Sequence, residues 1–227
     1  MSASLAAVHR FLVELERCHE PTLAAIREHR FVTDIREGKV PAEGLRRFAV
    51  AEYWYMRGGV KHFALSVLNA PDLGTQRFFH ERLSGELEYL HRFGAFIEAL
   101  GLSEQEVEQE VPPSQALNAV NYLFRLSVEA GPAEKGVAWF LVGRVFADTC
   151  EAMRIGLTTH YRIPEEAVEF FSIPHVRSQR FVDGIARLIS LYGAGGSQQT
   201  GLEQVAARIL AYEKDFYDSL ASVPLLK

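Results

Sequence analysis

Residues 42–69 read AEGLRRFAVAEYWYMRGGVKHFALSVLN, and the spacing of side chains in this stretch decides the fold class. Phe48, Glu52, Tyr55, Gly59, His62 and Ser66 recur at alternating steps of four and three, which puts them on one face of an α-helix. The same spacing runs outward in both directions, over residues 3–18 and 21–37 before it and over 73–100, 114–130, 133–161, 165–192 and 200–221 after it. A break is expected within 21–37 and another at Pro174. Gly38 with Pro41, Pro71, Gly101, Pro112 with Pro113, Gly131 with Pro132, Pro164 and the glycine-rich run from Gly193 to Ser197 fall between the helical stretches. Alternating strand-like segments bounded by tight-turn dipeptides do not occur. The expectation is an all-α chain with one helical domain over residues 1–227, because no connection is long enough to serve as an interdomain linker.

Composition narrows the function classes. Among 227 residues, 24 Lys and Arg stand against 29 Asp and Glu, a net charge of −5 that offers no basic field to nucleic acid. The 48% apolar and 23% charged fractions are those of a folded, soluble chain. Charges at His9, Arg10, Glu14 and Glu16 interrupt the N-terminal stretch before a signal-peptide core could form. No apolar run approaches the roughly 18–20 residues of a membrane span, so no membrane partner is expected. Cys18 and Cys150 do not make a disulfide framework, and a reducing cytoplasm is the expected setting.

Helical bundles build their sites from side chains projecting into the core. On the face quoted above, Glu52, Tyr55 and His62 share one side of a helix with Phe48. An unpaired buried carboxylate is costly, and Ala51, Tyr53, Trp54 and Tyr55 bring Glu52 no positive charge. Gly58 and Gly59 would each cost about 1 kcal/mol in a helix interior relative to Ala, which implies a close approach there. In the next helix Glu88 and His91 lie three apart, after Ser84. The string WFLVGRVFADTCEAM at 139–153 sets Arg144 and Asp148 four apart, the spacing of an ion pair. His175, Gln179 and Val182 follow one side of the helix after Pro174. Each also has a plain structural reading: a hydrogen-bonded core histidine, an exposed Glu88–His91 pair, a structural Arg144–Asp148 bridge.

Residues 27–59, REHRFVTDIREGKVPAEGLRRFAVAEYWYMRGG, together with APD at 70–72, LHRFGAFIEALGL at 90–102, GLTTHYRIPEEAVEFFSIPHVR at 156–177 and AYEKDFYDSL at 211–220, resemble in order and spacing the haem-oxygenase-like superfamily. That superfamily contains TenA, PqqC and the diiron oxidases of the same fold. The resemblance implies a haem-oxygenase-like helical bundle with a central cavity. Setting His91 and His175 on two diiron ligands leaves Ser84, Gly143, Gln179 and Val182 where the other four should be. No metal is therefore expected, with a single iron on Glu88, His91 and His175 as the weaker alternative. Against TenA, Glu52 falls on the pyrimidine-contacting Asp, Glu213 with Phe216 and Tyr217 on a late E-x-x-F-W string, and Tyr122 on a pocket tyrosine. The nucleophilic Cys is missing, since Cys150 lies too far along.

PqqC-like proteins oxidise an electron-rich substrate without a metal. The leading expectation follows that comparison: an oxidoreductase-like enzyme acting on a small metabolite, with His91, His175 and Arg144 catalytic and no cofactor. His29, Glu52, Tyr55, His62, Glu88, Tyr122, Gln179, Glu213 and Tyr217 would surround the substrate. Glu52 stands where that subfamily carries an Arg, which favours a ligand with an amine or other donor, held jointly by Glu52 and Glu213. The alternatives are a TenA-like aminohydrolase of thiamine-pyrimidine metabolism and a non-catalytic small-molecule binder. A homodimer is expected, with Trp54, Phe78, Phe79, Phe170 and Phe171 as candidates for burial between subunits.

Overall fold

A computed structural model describes residues 4–172, 178–193 and 196–221, and among these every regular element is helical. Helix α1 (Leu5–Arg27) buries Val8, Leu12, Leu15, Leu23 and Ile26, a single face that continues through Pro21. The sequence sets one helix over 3–18 and a second, broken one over 21–37; the first runs on through Pro21, and the break expected within 21–37 falls at Glu28 and His29. Pro21 is exposed, so the Arg17 carbonyl that loses its N–H partner can be hydrated and the helix survives. His29 then opens α2 (Arg30–Arg36), its Nδ1 accepting from the Phe31 amide at 3.2 Å.

Helix α3 (Ala42–Leu68) is the stretch quoted first, and Phe48, Glu52, Tyr55, Gly59, His62 and Ser66 are all buried on it. Asp72 caps α4 (Leu73–Ala99) by accepting from the Gly74 and Thr75 amides. Helix α5 (Glu104–Gln109) was not anticipated, although its capping box is written in the sequence: Ser103 accepts from the Glu106 amide, and Glu106 accepts from the Ser103 amide. A 3-10 turn at Ser114–Leu117 leads into α6 (Asn118–Glu129).

Helix α7 (Pro132–Thr159) is buried on nearly all sides and packs on α2, α8 (Gln179–Tyr192) and α9 (Gly196–Leu220). A helix apolar all round belongs at the centre of a bundle. Helix α3 packs on α4 and α6. The helix expected over 165–192 is a 3-10 turn at Glu165–Phe171 and then α8; Pro174 and His175 lie outside the described residues. That turn fits between α4 and α7 and buries the adjacent Phe170 and Phe171 together, which the one-sided face of a surface α-helix does not do.

Phe48, Phe93, Phe96, Phe170 and Phe171 form one aromatic cluster, with Phe93 and Phe170 ring centres 4.7 Å apart. These rings and Phe79 are packed within the chain. The Trp54 indole donates to the Glu110 carbonyl, and Phe78 packs against the core. The aromatics that suggested a subunit interface therefore give no argument for one. Among the described residues no helix is long and apolar enough to cross a membrane.

Candidate active site

Helices α3, α4, α7 and α9 enclose a two-part cavity. Its inner chamber, about 50 Å³, is walled by Glu52, Tyr55 and Met56 from α3, Glu213, Phe216 and Tyr217 from α9, and Phe170. It adjoins an outer cavity of about 370 Å³ across Glu86 and Tyr89 of α4 and Trp139, Val142 and Phe146 of α7. The outer part runs past Phe63, Arg82 and Phe181 to a rim carrying Glu81, Glu88 and Arg92. Flat aromatic walls with a few polar groups are the make-up of a small-molecule site.

Three carboxyls converge on the inner chamber: Glu52, Glu86 and Glu213. Burial pushes Glu52 up to about 8, helped by the charges of Glu213 and Glu86. Burial alone pushes Glu86 to about 8, although its side chain stays partly accessible through the outer cavity. Glu213, 5% exposed, is raised by burial to about 7, with the Tyr55 hydroxyl opposing the rise by donating to its Oε1 at 2.5 Å. Neither Glu52 nor Glu86 has a hydrogen bond or ion pair among the described residues. Apposed carboxyls in a buried, largely apolar site hold their protons near neutral pH, which is the range needed for proton transfer.

Backbone and side-chain packing fix this arrangement. A Cβ on Gly59 would lie 2.6 Å from Glu86 Oε1, and one on Gly58 would lie 2.2 Å from Val120 Cγ2, so each glycine admits a neighbouring helix's side chain. This is the close approach expected from their helix-interior position. Tyr217 donates to Thr149 Oγ1 at 2.8 Å, and Thr149 donates to the Val145 carbonyl. His62 sits behind the cavity wall. Its Nδ1 lies 2.5 Å from the Leu123 carbonyl, which can only accept, so the proton is on Nδ1 and Nε2 accepts from the Trp139 indole at 2.5 Å. Burial pushes this imidazole down to about 3, leaving it neutral.

A model of the TENA/THI-4/PQQC family matches residues 17–222. The chain belongs to this family. Among curated proteins, the aminopyrimidine aminohydrolase of Halalkalibacterium halodurans is 28% identical over 151 residues, a match spanning 65% of this chain and 63% of that protein. A TenA homologue from Pyrococcus furiosus has a TM-score of 0.73 at 21% identity, covering 91% of this chain and 98% of its own. A domain with a haem-oxygenase-like fold from Shewanella denitrificans reaches 0.78 at 14% identity, covering 92% and 91%. The all-α, haem-oxygenase-like fold and the TENA/THI-4/PQQC resemblance read from the sequence both stand. The match to an aminohydrolase agrees with the hydrolase alternative better than with the oxidoreductase-like reading.

Of the residues singled out in this TENA/THI-4/PQQC chain, Glu52, Tyr55, Glu213 and Tyr217 meet at the inner chamber. The others do not. His91 is exposed on the opposite face of α4, beside Glu98 and Glu104. Glu88 is exposed at the outer rim and paired with Arg92 at 3.0 Å, and among the described residues no three His, Cys, Asp or Glu side chains are gathered to hold a metal ion. His175 lies outside the described residues. Arg144 does not pair with Asp148: it reaches Glu16 of α1 at 2.7 Å and covers the Phe140 ring, while Asp148 lies 3.6 Å from Arg27.

His29 is occupied as the α2 cap, with its Nε2 donating to Asp218 at 3.0 Å. Tyr122 packs on Tyr212 between α6 and α9, away from the cavity. Gln179 opens α8 on the surface and donates to Asp183. His62 acts only through Trp139. Cys150 is fully buried outside the cavity lining, and its thiol is pushed up by burial and by Glu52, so it is no nucleophile. Sequence reasoning passed over Glu86, Tyr89, Arg82 and Trp139. The signal was present: Phe79, Arg82, Glu86, Tyr89, Phe93 and Phe96 form a three/four stripe on α4, two residues out of phase with Ser84, Glu88 and His91.

Proposed function

We propose that this chain is a hydrolase that removes an exocyclic amino group from a small heteroaromatic ring of the aminopyrimidine type, using carboxyls in place of a thiol. The observation that carries the reading is the convergence of Glu52, Glu86 and Glu213 on one aromatic-walled chamber, each with a pKa raised into the neutral range. The outer cavity has room for a ring and its substituents. The inner chamber has room for water beside the carboxyls.

In this reading Glu213, the lowest of the three, takes a proton from water as its oxygen bonds to the ring carbon bearing the amine. Glu86, protonated at pH 7 and facing the outer cavity, gives its proton to the nitrogen as the C–N bond breaks. Glu52 stands between them and orients the water. The products are ammonia and the hydroxylated ring, and the atoms and electrons balance without a cofactor or an oxidant. The oxidoreductase-like reading made His91, His175 and Arg144 catalytic with His29 beside the substrate; His29, His91 and Arg144 do not line the cavity, and His175 lies outside the described residues. Cys18 and Cys150 are both unpaired, which supports a reducing compartment, the cytoplasm, as the place of action.

The test is ammonia release from a panel of 4-aminopyrimidines, with oxygen consumption followed in parallel. Turnover without oxygen uptake is expected, with kcat/KM bell-shaped in pH and limbs near 7 and 8. Glu213→Gln and Glu86→Gln should each lower kcat by roughly 100-fold or more. Oxygen uptake in step with turnover, or full activity in both variants, would refute the proposal.

A further inference from the structure

Arg82 stands at the passage between the outer cavity and a second groove that opens between α4 and α8. Its guanidinium is clamped between two rings, 5.8 Å from the centre of Phe78 and 5.7 Å from that of Phe181. The clamp depends on Gly184 of α8, where a Cβ would fall 2.4 Å from Phe78 Cε2. Its Nε is buried, and among the described residues it has no hydrogen-bond partner and Arg82 makes no ion pair. Glu81, next in sequence, is engaged by Arg180 at 3.1 Å, and Glu86, one turn along, does not pair with Arg82. The nearby Arg92 differs, being held by both Glu88 and Glu169.

A half-buried guanidinium without a carboxylate carries a desolvation cost, and here burial draws its pKa down. The cost is recovered when an anion supplies the missing acceptors, and the planar fork of Arg suits carboxylate and phosphate oxygens.

We infer that Arg82 is an anion subsite, and that the molecule bound in the cavity is bipolar, with an amino-substituted ring toward Glu52, Glu86 and Glu213 and a carboxylate or phosphate monoester toward Arg82. Glu52 and Glu213 line the inner chamber alone and Arg82 the outer cavity alone, with Glu86 between them on the wall that both share, so a ligand carrying both groups is held in a single orientation. The inference rests on the aminohydrolase reading for the ring end alone.

The experiment is titration calorimetry with three rings: 4-aminopyrimidine, 4-aminopyrimidine-5-carboxylate and (4-aminopyrimidin-5-yl)methyl phosphate. The two anionic probes should bind the wild-type protein at least tenfold more tightly than the neutral one, and their order tells carboxylate from phosphate. In Arg82→Met the ratio of charged to neutral affinity should fall close to one. Arg82→Lys, which keeps the charge and serves if the Met variant does not fold, should keep part of the ratio. Benzoate and phenyl phosphate, which lack the amine, separate the two claims. Arg82-dependent binding of these alone, with no binding of 4-aminopyrimidine, leaves the anion subsite standing and removes the ring-end reading. Equal affinity for charged and neutral rings in the wild type, or an anion preference undiminished in Arg82→Met, would overturn the inference.

Discussion

Glu52 holds a carboxyl among aromatic rings with no hydrogen bond from the described residues to share its charge, and the consequence is a definite dependence of stability on pH. In the unfolded chain this group titrates near 4.5, and in the fold near 8. Between those values the unfolded chain has released a proton that the folded chain still holds. Stability therefore falls as pH rises, by about 1.4 kcal/mol per pH unit for each such group. Below 4.5 both states are protonated and the penalty vanishes; above 8 it is complete. Glu52→Gln removes the titration, so its melting temperature should match the wild type near pH 4 and exceed it at pH 8, where the gain should be roughly 2 kcal/mol or more. Thermal unfolding followed by circular dichroism across that range checks it. A difference that is constant with pH would mean that Glu52 ionises as freely in the fold as outside it.

At the scale of elements, α2 and α7 meet with almost no space between them. A Cβ on Gly156 would lie 2.2 Å from the Ile35 carbonyl oxygen and 2.6 Å from the Arg36 Cα, both backbone atoms that cannot swing aside. Gly156→Ala should destabilise the protein by about 2–3 kcal/mol, despite the better helix propensity of Ala, because overpacking has to be relieved by moving a helix. Gly59→Ala meets only the flexible end of Glu86 and should cost far less stability. Comparing the two by urea denaturation tests this, and equal losses would contradict it.

How far an element could be read from the sequence depended on how different its faces are. On α3 the stripe from Phe48 through Glu52, Tyr55, Gly59 and His62 to Ser66 is buried along its whole length, and the residues buried beside it from Ala49 to Ala51 are small or aliphatic, so Glu52 and Tyr55 could be found from spacing alone. On α4 both phases carry a carboxylate three residues before an aromatic or imidazole ring: Glu86 with Tyr89 inside, Glu88 with His91 outside. Choosing the histidine chose the solvent face. Trp139 and Arg82 were not legible because their roles depend on partners distant in sequence, His62 and Phe181. Glu213 could be reached through the family resemblance, whereas the charges around it in AYEKDFYD gave no sign that it is buried.

Across the whole molecule, the two tryptophans occupy opposite situations. Trp54 lies near the surface under Arg57, and Trp139 is one of the residues that line both parts of the cavity. The protein thus contains its own optical probe. In a Trp54→Phe variant all indole emission would come from the cavity wall, and any aromatic ring entering the outer cavity would come to rest against it. The fluorescence change should saturate with the same Kd as the calorimetric titration, and an emission indifferent to ligand would place the bound ring elsewhere. Because the imidazole bonded to this indole stays uncharged down to about pH 3, the signal should report occupancy across the working pH range without a contribution from protonation of its nearest partner.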